Sequence, residues 1–456
     1  MTRRPDGCVR PSRLPSLQHP LGTALVALGV GLATCWYAVP AAFAIESAAA
    51  LAPVIAAAAF PHEAARLRDP AWLAQIYPSP GSGPVWFAPE GPRPAVASAL
   101  RALRSVADRG LSPTDYDAEA LDRAIRATAG PDAGKEALAR ADVALTVNVL
   151  RLLSDLRFGR VRPQDVEPHY RAKAREASFV ADLRAAVAHD RLDVLIDAAE
   201  PAFPVYARLK ELLPRYRALA TTPSPALPGL SGPRAKVVPG DRYPGVPALH
   251  DLLVRLGDLP RDAPRPADDR YDDALAAGVT RFQARHGLAQ DGVLGRQTIA
   301  ALNEPLATRV TQIELALERM RWLPEFAAGP AIAINVPSFQ LWAFADARDT
   351  ASATLSMPVI VGKAVQHETP IFIGEMRAVE FSPYWNVPRN ILRNETLPRL
   401  AQDPGYLQRE DMELVSTRGD GRVLTRIDAA GLEALRAGEL RVRQRPGPKN
   451  ALGGVK

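Results

Sequence analysis

The stretch that decides the fold is "AIAINVPSFQLWAF", residues 331–344. Ile332, Ile334 and Val336 alternate with small or polar neighbours, a period of two that belongs to strands. Upstream of Ala331 the apolar residues recur instead every three or four positions. "PAVASALRALRSVADRG" sets Leu100, Leu103 and Ala107 on one helical face, with Gly110 as a C-terminal stop. "ADVALTVNVLRLLSDLRF" does the same with Leu145, Val149, Leu152 and Leu156. Downstream, "LSMPVIVG" and "MRAVEFSPYWNVP" read as further strands, and the Gly and Pro punctuation suits a β-sandwich or related β-fold. The chain is therefore a multidomain α+β protein whose helical part comes first.

Working outward gives the boundaries. Residues 63–220 form a helical domain, in which "QIYPSPGSGPVWFAPEG" adds a packed, strand-like segment with Tyr77, Trp86 and Phe87. The Pro-rich 221–245 reads as a linker. Residues 246–303 make a three-helix module. Leu249, Leu252, Leu253 and Leu256 line its first helix, which Gly257 ends, and Leu275, Val279 and Phe282 line the second. Ile299 and Leu302 point inward from the third, after a turn in which Gly292 and Gly295 are expected to supply backbone freedom. Residues 331–456 form the mainly β domain, interrupted at about 389–440 by an inserted helical lid.

Composition bounds the chemistry. The 456 residues are 47% hydrophobic and 23% charged, ordinary values for folded protein. The net charge of +6 draws on Arg3, Arg4, Arg10 and Arg13, and the other arginines are scattered among acids, so no nucleic-acid partner is expected. Residues 1–44 combine a basic head, an uncharged apolar stretch and Ala42-Phe43-Ala44. They read as an export signal or, uncleaved, an inner-membrane anchor, which places the body in the periplasm. The two cysteines, Cys8 and Cys35, both lie in that segment. The seven histidines show no metal-ligand spacing, so neither a metal nor another cofactor is expected.

Two resemblances add function. In the module Phe282, Gln283, Gly287, Leu288, Asp291, Gly292, Gly295, Thr298 and Leu302 fall in the register of the peptidoglycan-binding domain family. Phe282, Gln283, Asp291, Gly292, Gly295 and Thr298 are its signature here, although core and turn duties alone account for most of them. That likeness implies wall glycan and stem peptides as partners. Further on, "ERMRWLP", "IAINVPSFQLWAF", "MPVIVGKAVQHETPIF", "FSPYWNVPRNIL" and "RQRPGPKNALGGVK" occur in the order seen in the large scaffolded L,D-transpeptidases, with 63–220 resembling their scaffold domain.

The resemblance implies acyl transfer between wall peptides through a cysteine thiolate, with a histidine as base and backbone amides holding the oxyanion. The family's histidine and its Ser-x-Gly-Cys turn come after the "KNALGGVK" segment, so both are expected beyond Lys456 and no catalytic residue is assigned within 1–456. His367 reads as a loop residue. The residues that match the pocket's supporting wall are Gly362, Thr369, Pro370, Trp385, Asn450 and Gly453. Two readings result: an L,D-transpeptidase represented without its catalytic end, or a non-catalytic wall-binding descendant.

Overall fold

A computed structural model describes residue 53 and residues 67–456, except 70, 79–82, 130–133, 168–169, 171–178, 224, 233–234, 351, 364–367 and 404. Residues 1–44, read as an export signal or anchor, and His367 therefore lie outside the described residues. The chain divides into two compact units, residues 1–162 with 175–357, and residues 163–174 with 358–456. Among the described residues no helix is long and apolar enough to cross a membrane.

The first unit begins with the scaffold. Its helices are α1 (Ala71–Ile76), α2 (Ala95–Arg104), α3 (Ala118–Ala127), α4 (Lys135–Phe158), α5 (Phe179–Ala188), α6 (Leu192–Ala199) and α7 (Pro204–Ala220). Helix α4 is the central beam, with α2, α3 and α6 packed around it. Leu145, Val149, Leu152 and Leu156 are wholly buried, as their spacing predicts, but so are Leu150 and Leu153. A helix apolar on more than one face belongs inside a bundle, not on its surface. The aromatic stretch ahead of it forms a short hairpin of β1 (Phe87–Ala88) and β2 (Gly91–Pro92).

That hairpin is pinned to α4 by one buried carboxylate. Asp142 accepts from the Val85 amide at 3.0 Å, the Trp86 amide at 2.7 Å and the Tyr77 hydroxyl at 2.5 Å. The Trp86 indole donates to Thr146 Oγ1 one turn on, at 2.8 Å. Burial raises the Asp142 carboxyl to about 6 despite these donors.

The module consists of α8 (Val246–Leu256), α9 (Asp273–Arg285) and α10 (Arg296–Leu302) around a core of Leu249, Leu253, Leu275, Val279 and Phe282. The Pro-rich stretch before it does not hang free. Leu227, Val237 and Tyr243 are buried in the same core, and the Asn303 side chain pairs with both backbone groups of Leu227 at 2.7 and 2.9 Å. Prolines space these apolar residues so that the chain wraps the helices without needing a ladder of its own. Gly292 takes φ +65, as its turn requires, whereas Gly295 sits at φ −90 and needs no glycine freedom.

Helix α11 (Leu306–Arg321) follows after only three residues and lies along α7 through Leu213, Leu317 and Tyr206. The "ERMRWLP" segment closes this contact. Arg321 has no exposed surface; it donates to Tyr206 Oη at 3.0 Å and to the Arg109 carbonyl, and pairs with Glu318. Glu318 in turn accepts from the Val161 amide at 3.0 Å and the Trp322 indole at 3.2 Å. Gly159, at φ +79, lets α4 end against this group. A Cβ there would lie 2.6 Å from Glu318 Oε1 and 2.7 Å from Trp322 Nε1. Next come β3 (Ala331–Asn335), β4 (Gln340–Phe344) and β5 (Leu355–Pro358), a three-stranded sheet in that order. Ala331 pairs with Phe344 and Asn335 with Gln340.

The second unit is built on a four-stranded antiparallel sheet, ordered β6 (Trp385–Asn386), β9 (Leu440–Gln444), β7 (Met412–Ser416) and β8 (Val423–Leu424). Helices α12 (Leu397–Gln402), α13 (Tyr406–Arg409) and α14 (Ala429–Arg436) cover its core of Leu400, Leu407, Leu414, Leu435 and Val442. The insertion read as helical thus also contributes two strands. "MELVS" is too short and too mixed to declare its type until β9 pairs with it. Between β5 and β6, the described residues expected to form strands carry no ladder apart from a bridge of Phe381 with Val455.

Candidate functional site

The signature residues of the module hold one another. Gln283, almost wholly buried, donates to Asp291 Oδ1 at 2.9 Å and the Val293 carbonyl at 3.1 Å. It accepts from the Gly292 amide at 2.9 Å, and Thr298 Oγ1 is 3.3 Å from its nitrogen. Asp291 also takes the Val293 amide at 2.9 Å, and that bond holds its carboxyl below the usual range. One amide side chain therefore ties the Asp-Gly turn to the start of α10, where an isoleucine or leucine would leave the Gly292 amide and the Thr298 hydroxyl without this partner. Phe282 lies in the core with the His286 ring stacked on it at 3.9 Å between centroids. Burial lowers the His286 pKa. These positions serve the core and the turn of the module.

In the transpeptidase-like segment two of the matched residues meet directly. The Gly362 amide donates to Thr369 Oγ1 at 2.8 Å, with Pro370 next in sequence. Trp385 pairs with Gln444 across β6 and β9 and packs, half-buried, against the sheet's own core. Asn450 is buried and donates to the Pro383 and Arg445 carbonyls, each at 3.0 Å, while its oxygen accepts from the Leu452 amide at 2.8 Å. Asn450 thus fastens the 445–453 loop to the turn before β6. Gly453, at φ +71, closes that loop with its amide 2.9 Å from the Asn450 carbonyl.

Two residues without an assignment from the sequence complete the arrangement. Gln444 bridges the Glu410 and Lys449 carbonyls and accepts from the Ala451 amide at 2.9 Å. Arg443 lies 4.1 Å over the Tyr384 ring and bonds the buried Glu413 at 2.6 Å. A polar residue at an inward position of β9 was the available signal for Gln444. What the segment offers chemically is a loop held by backbone and amide bonds beside a short sheet. The histidines described, His189, His250 and His286, all lie outside it.

Comparison with known proteins fits this geometry. Residues 71–213 match a "Scaffold domain", 242–302 a "Putative peptidoglycan binding domain" and 329–455 an "L,D-transpeptidase catalytic domain". The chain is thus assembled as the large scaffolded L,D-transpeptidases are, with scaffold, wall-binding and transpeptidase domains in series. Among individual proteins it is similar to a "Putative L,D-transpeptidase" of Haemophilus influenzae, at 29% identity over 138 residues. That match spans 29% of this chain and 27% of the relative's length.

Proposed function

We propose that the protein acts on peptidoglycan outside the cytoplasmic membrane, gripping the wall with residues 246–303 and serving L,D-transpeptidation with its C-terminal domain. The observation that carries this is the serial match of three domain types, two of which concern peptidoglycan. In the reaction a cysteine thiolate attacks the carbonyl of the L,D bond in a tetrapeptide stem. The C–N bond breaks, and the terminal D-alanine leaves with a proton on its amine donated by the histidine that had taken it from the thiol, giving a thioester. The side-chain amine of a diaminopimelate on a second stem then attacks that carbonyl, surrenders its proton to a histidine and returns the thiolate.

Residues 36–456 contain no cysteine, so they supply the support of such a site and not its nucleophile. The Gly362–Thr369 contact and the Asn450 loop are the parts that would border bound peptide. The polypeptide of residues 1–456 is expected to sediment with peptidoglycan sacculi and to gain no mass on incubation with a carbapenem. An acyl adduct on it would sink the assignment of the thiol elsewhere. A binding-only role is the second reading, resting on the peptidoglycan-binding match at 242–302 alone. Protein isolated from its own cells separates the two, since carbapenem acylation of a cysteine occurs only if it is an enzyme.

A further inference from the structure

Arginines cap helix ends in trans where the module meets the scaffold. The last carbonyls of a helix have no intrahelical donor and carry the negative end of its dipole, so a guanidinium placed there is doubly favoured. Arg255, in the last turn of α8, donates to the Leu219 and Thr222 carbonyls at the end of α7. Arg215 of α7 returns the contact, donating to the Leu256 carbonyl at the end of α8 at 2.8 Å. Each helix therefore ends on an arginine borne by the other. Gly257, the left-handed cap of α8, keeps the approach open: a Cβ there would stand 3.0 Å from Arg215 Nη2.

The pair does not act alone. Beside it Arg285 of α9 pairs with Asp258, within the module itself, at 2.9 Å, and the Tyr216 ring of α7 comes up against the same face. Tyr216, Leu252, Leu256, Phe282, His286 and Arg309 enclose one small recess, so this face of the module is turned to α7 and α11. The C-terminal end of the module is fixed at the same face. Only Asn303, Glu304 and Pro305 separate α10 from α11, and Arg309 caps α10 through the Ala301 carbonyl at 3.1 Å. Helix α11 is itself fastened to α7, with Arg217 bonding Glu314 at 2.6 Å.

We propose that this reciprocal arginine latch makes the wall-binding module a fixed arm of the scaffold, so that gripped peptidoglycan is held at one offset from α11 and the β3–β4 hairpin it leads into. A module held by its chain connections alone would swing the wall strand about the 303–305 joint; a latched one selects strands at a single distance. That the ligand is peptidoglycan rests on the function proposed above, whereas the latch stands on its own geometry.

The test is a distance measurement. With Cys8 and Cys35 replaced by serine, spin labels at Val194→Cys on the scaffold and Gln290→Cys on the module are compared by pulsed electron resonance. Both positions are exposed. The native latch is expected to give one narrow distance distribution, and Arg215→Ala with Arg255→Ala to broaden it at least twofold. If the alanine pair fails to fold, Arg215→Gln with Arg255→Gln, which keeps stem packing but loses the fork, carries the same expectation. A broad native distribution, or a folded double variant as narrow as the native protein, overturns the proposal. A narrow native distribution in protein that does not sediment with sacculi refutes the ligand class and leaves the latch standing.

Discussion

The module and the segment between β5 and β6 have similar raw material and opposite outcomes. Both are short and rich in apolar residues. In the module Phe282 keeps 1% of its surface, while Phe372 keeps 69% and Ile360 is fully exposed. The difference lies in where the partners of each element are found. Helices α8, α9 and α10 satisfy their backbones internally and need only meet neighbours close in sequence. A strand satisfies half its backbone groups on another strand, so its apolar residues find cover only once the ladder exists. Ile332 and Ile334 show the intermediate case. They are paired along β3 but about half exposed, because a sheet buries a face only against another layer.

The largest effect is expected from Phe282→Ala, which should cost the module about 3–5 kcal/mol in a denaturant titration. Phe372→Ala, by contrast, should stay within about 0.5 kcal/mol, as exposed positions do. Equal losses would show that residues 359–380 are as well packed in solution as the module.

Next in size is Gln283→Leu. It keeps the volume but strands the Gly292 amide and the Thr298 hydroxyl, at about 1–3 kcal/mol. A neutral result would mean that water replaces the amide there. The smallest effect is pH dependence at His286. Its pKa is lowered by burial, so the unfolded chain binds the proton more readily, and stability is lost as pH falls through the ordinary histidine value of 6.5. His286→Gln should flatten that slope in thermal melts between pH 7 and 5. A variant as pH-sensitive as the native protein would assign the slope to another group.

The sequence disclosed most where the code is local. The α4 helix, the module's three helices and the β3 and β4 strands formed where periodicity put them, because each depends on residues within about two turns or one hairpin, although β3 buries neither face in alternation and Val336, expected in the strand, begins a 3-10 turn after it. Phe282 and Thr298 could be placed but not explained: only the structure reveals that Gln283 is the hub joining them to the Asp-Gly turn. Arg215 and Arg255 were illegible, since a cap provided by another helix leaves no trace in local spacing. The stretch 221–245 misleads for a related reason. Its prolines announce a linker, yet Leu227, Val237 and Tyr243 are core. Trp385 and Asn450 were singled out as pocket residues and are found tied into their own sheet and loop, the sort of support from which a neighbouring surface takes its shape.

Gly159 brings out one more consequence. Its missing side chain is the clearance between the end of α4 and the Glu318–Trp322 pair, a gap narrower than a methyl group. Helix α11 stops at Arg321 and an irregular stretch, 322–330, leads on to β3, so a shim inserted at 159 presses first on the end of α11. In mechanical terms the seat between α4 and that helix end has no spare clearance. One carbon at position 159 is the smallest change that would push the Glu318–Trp322 pair out of that seat.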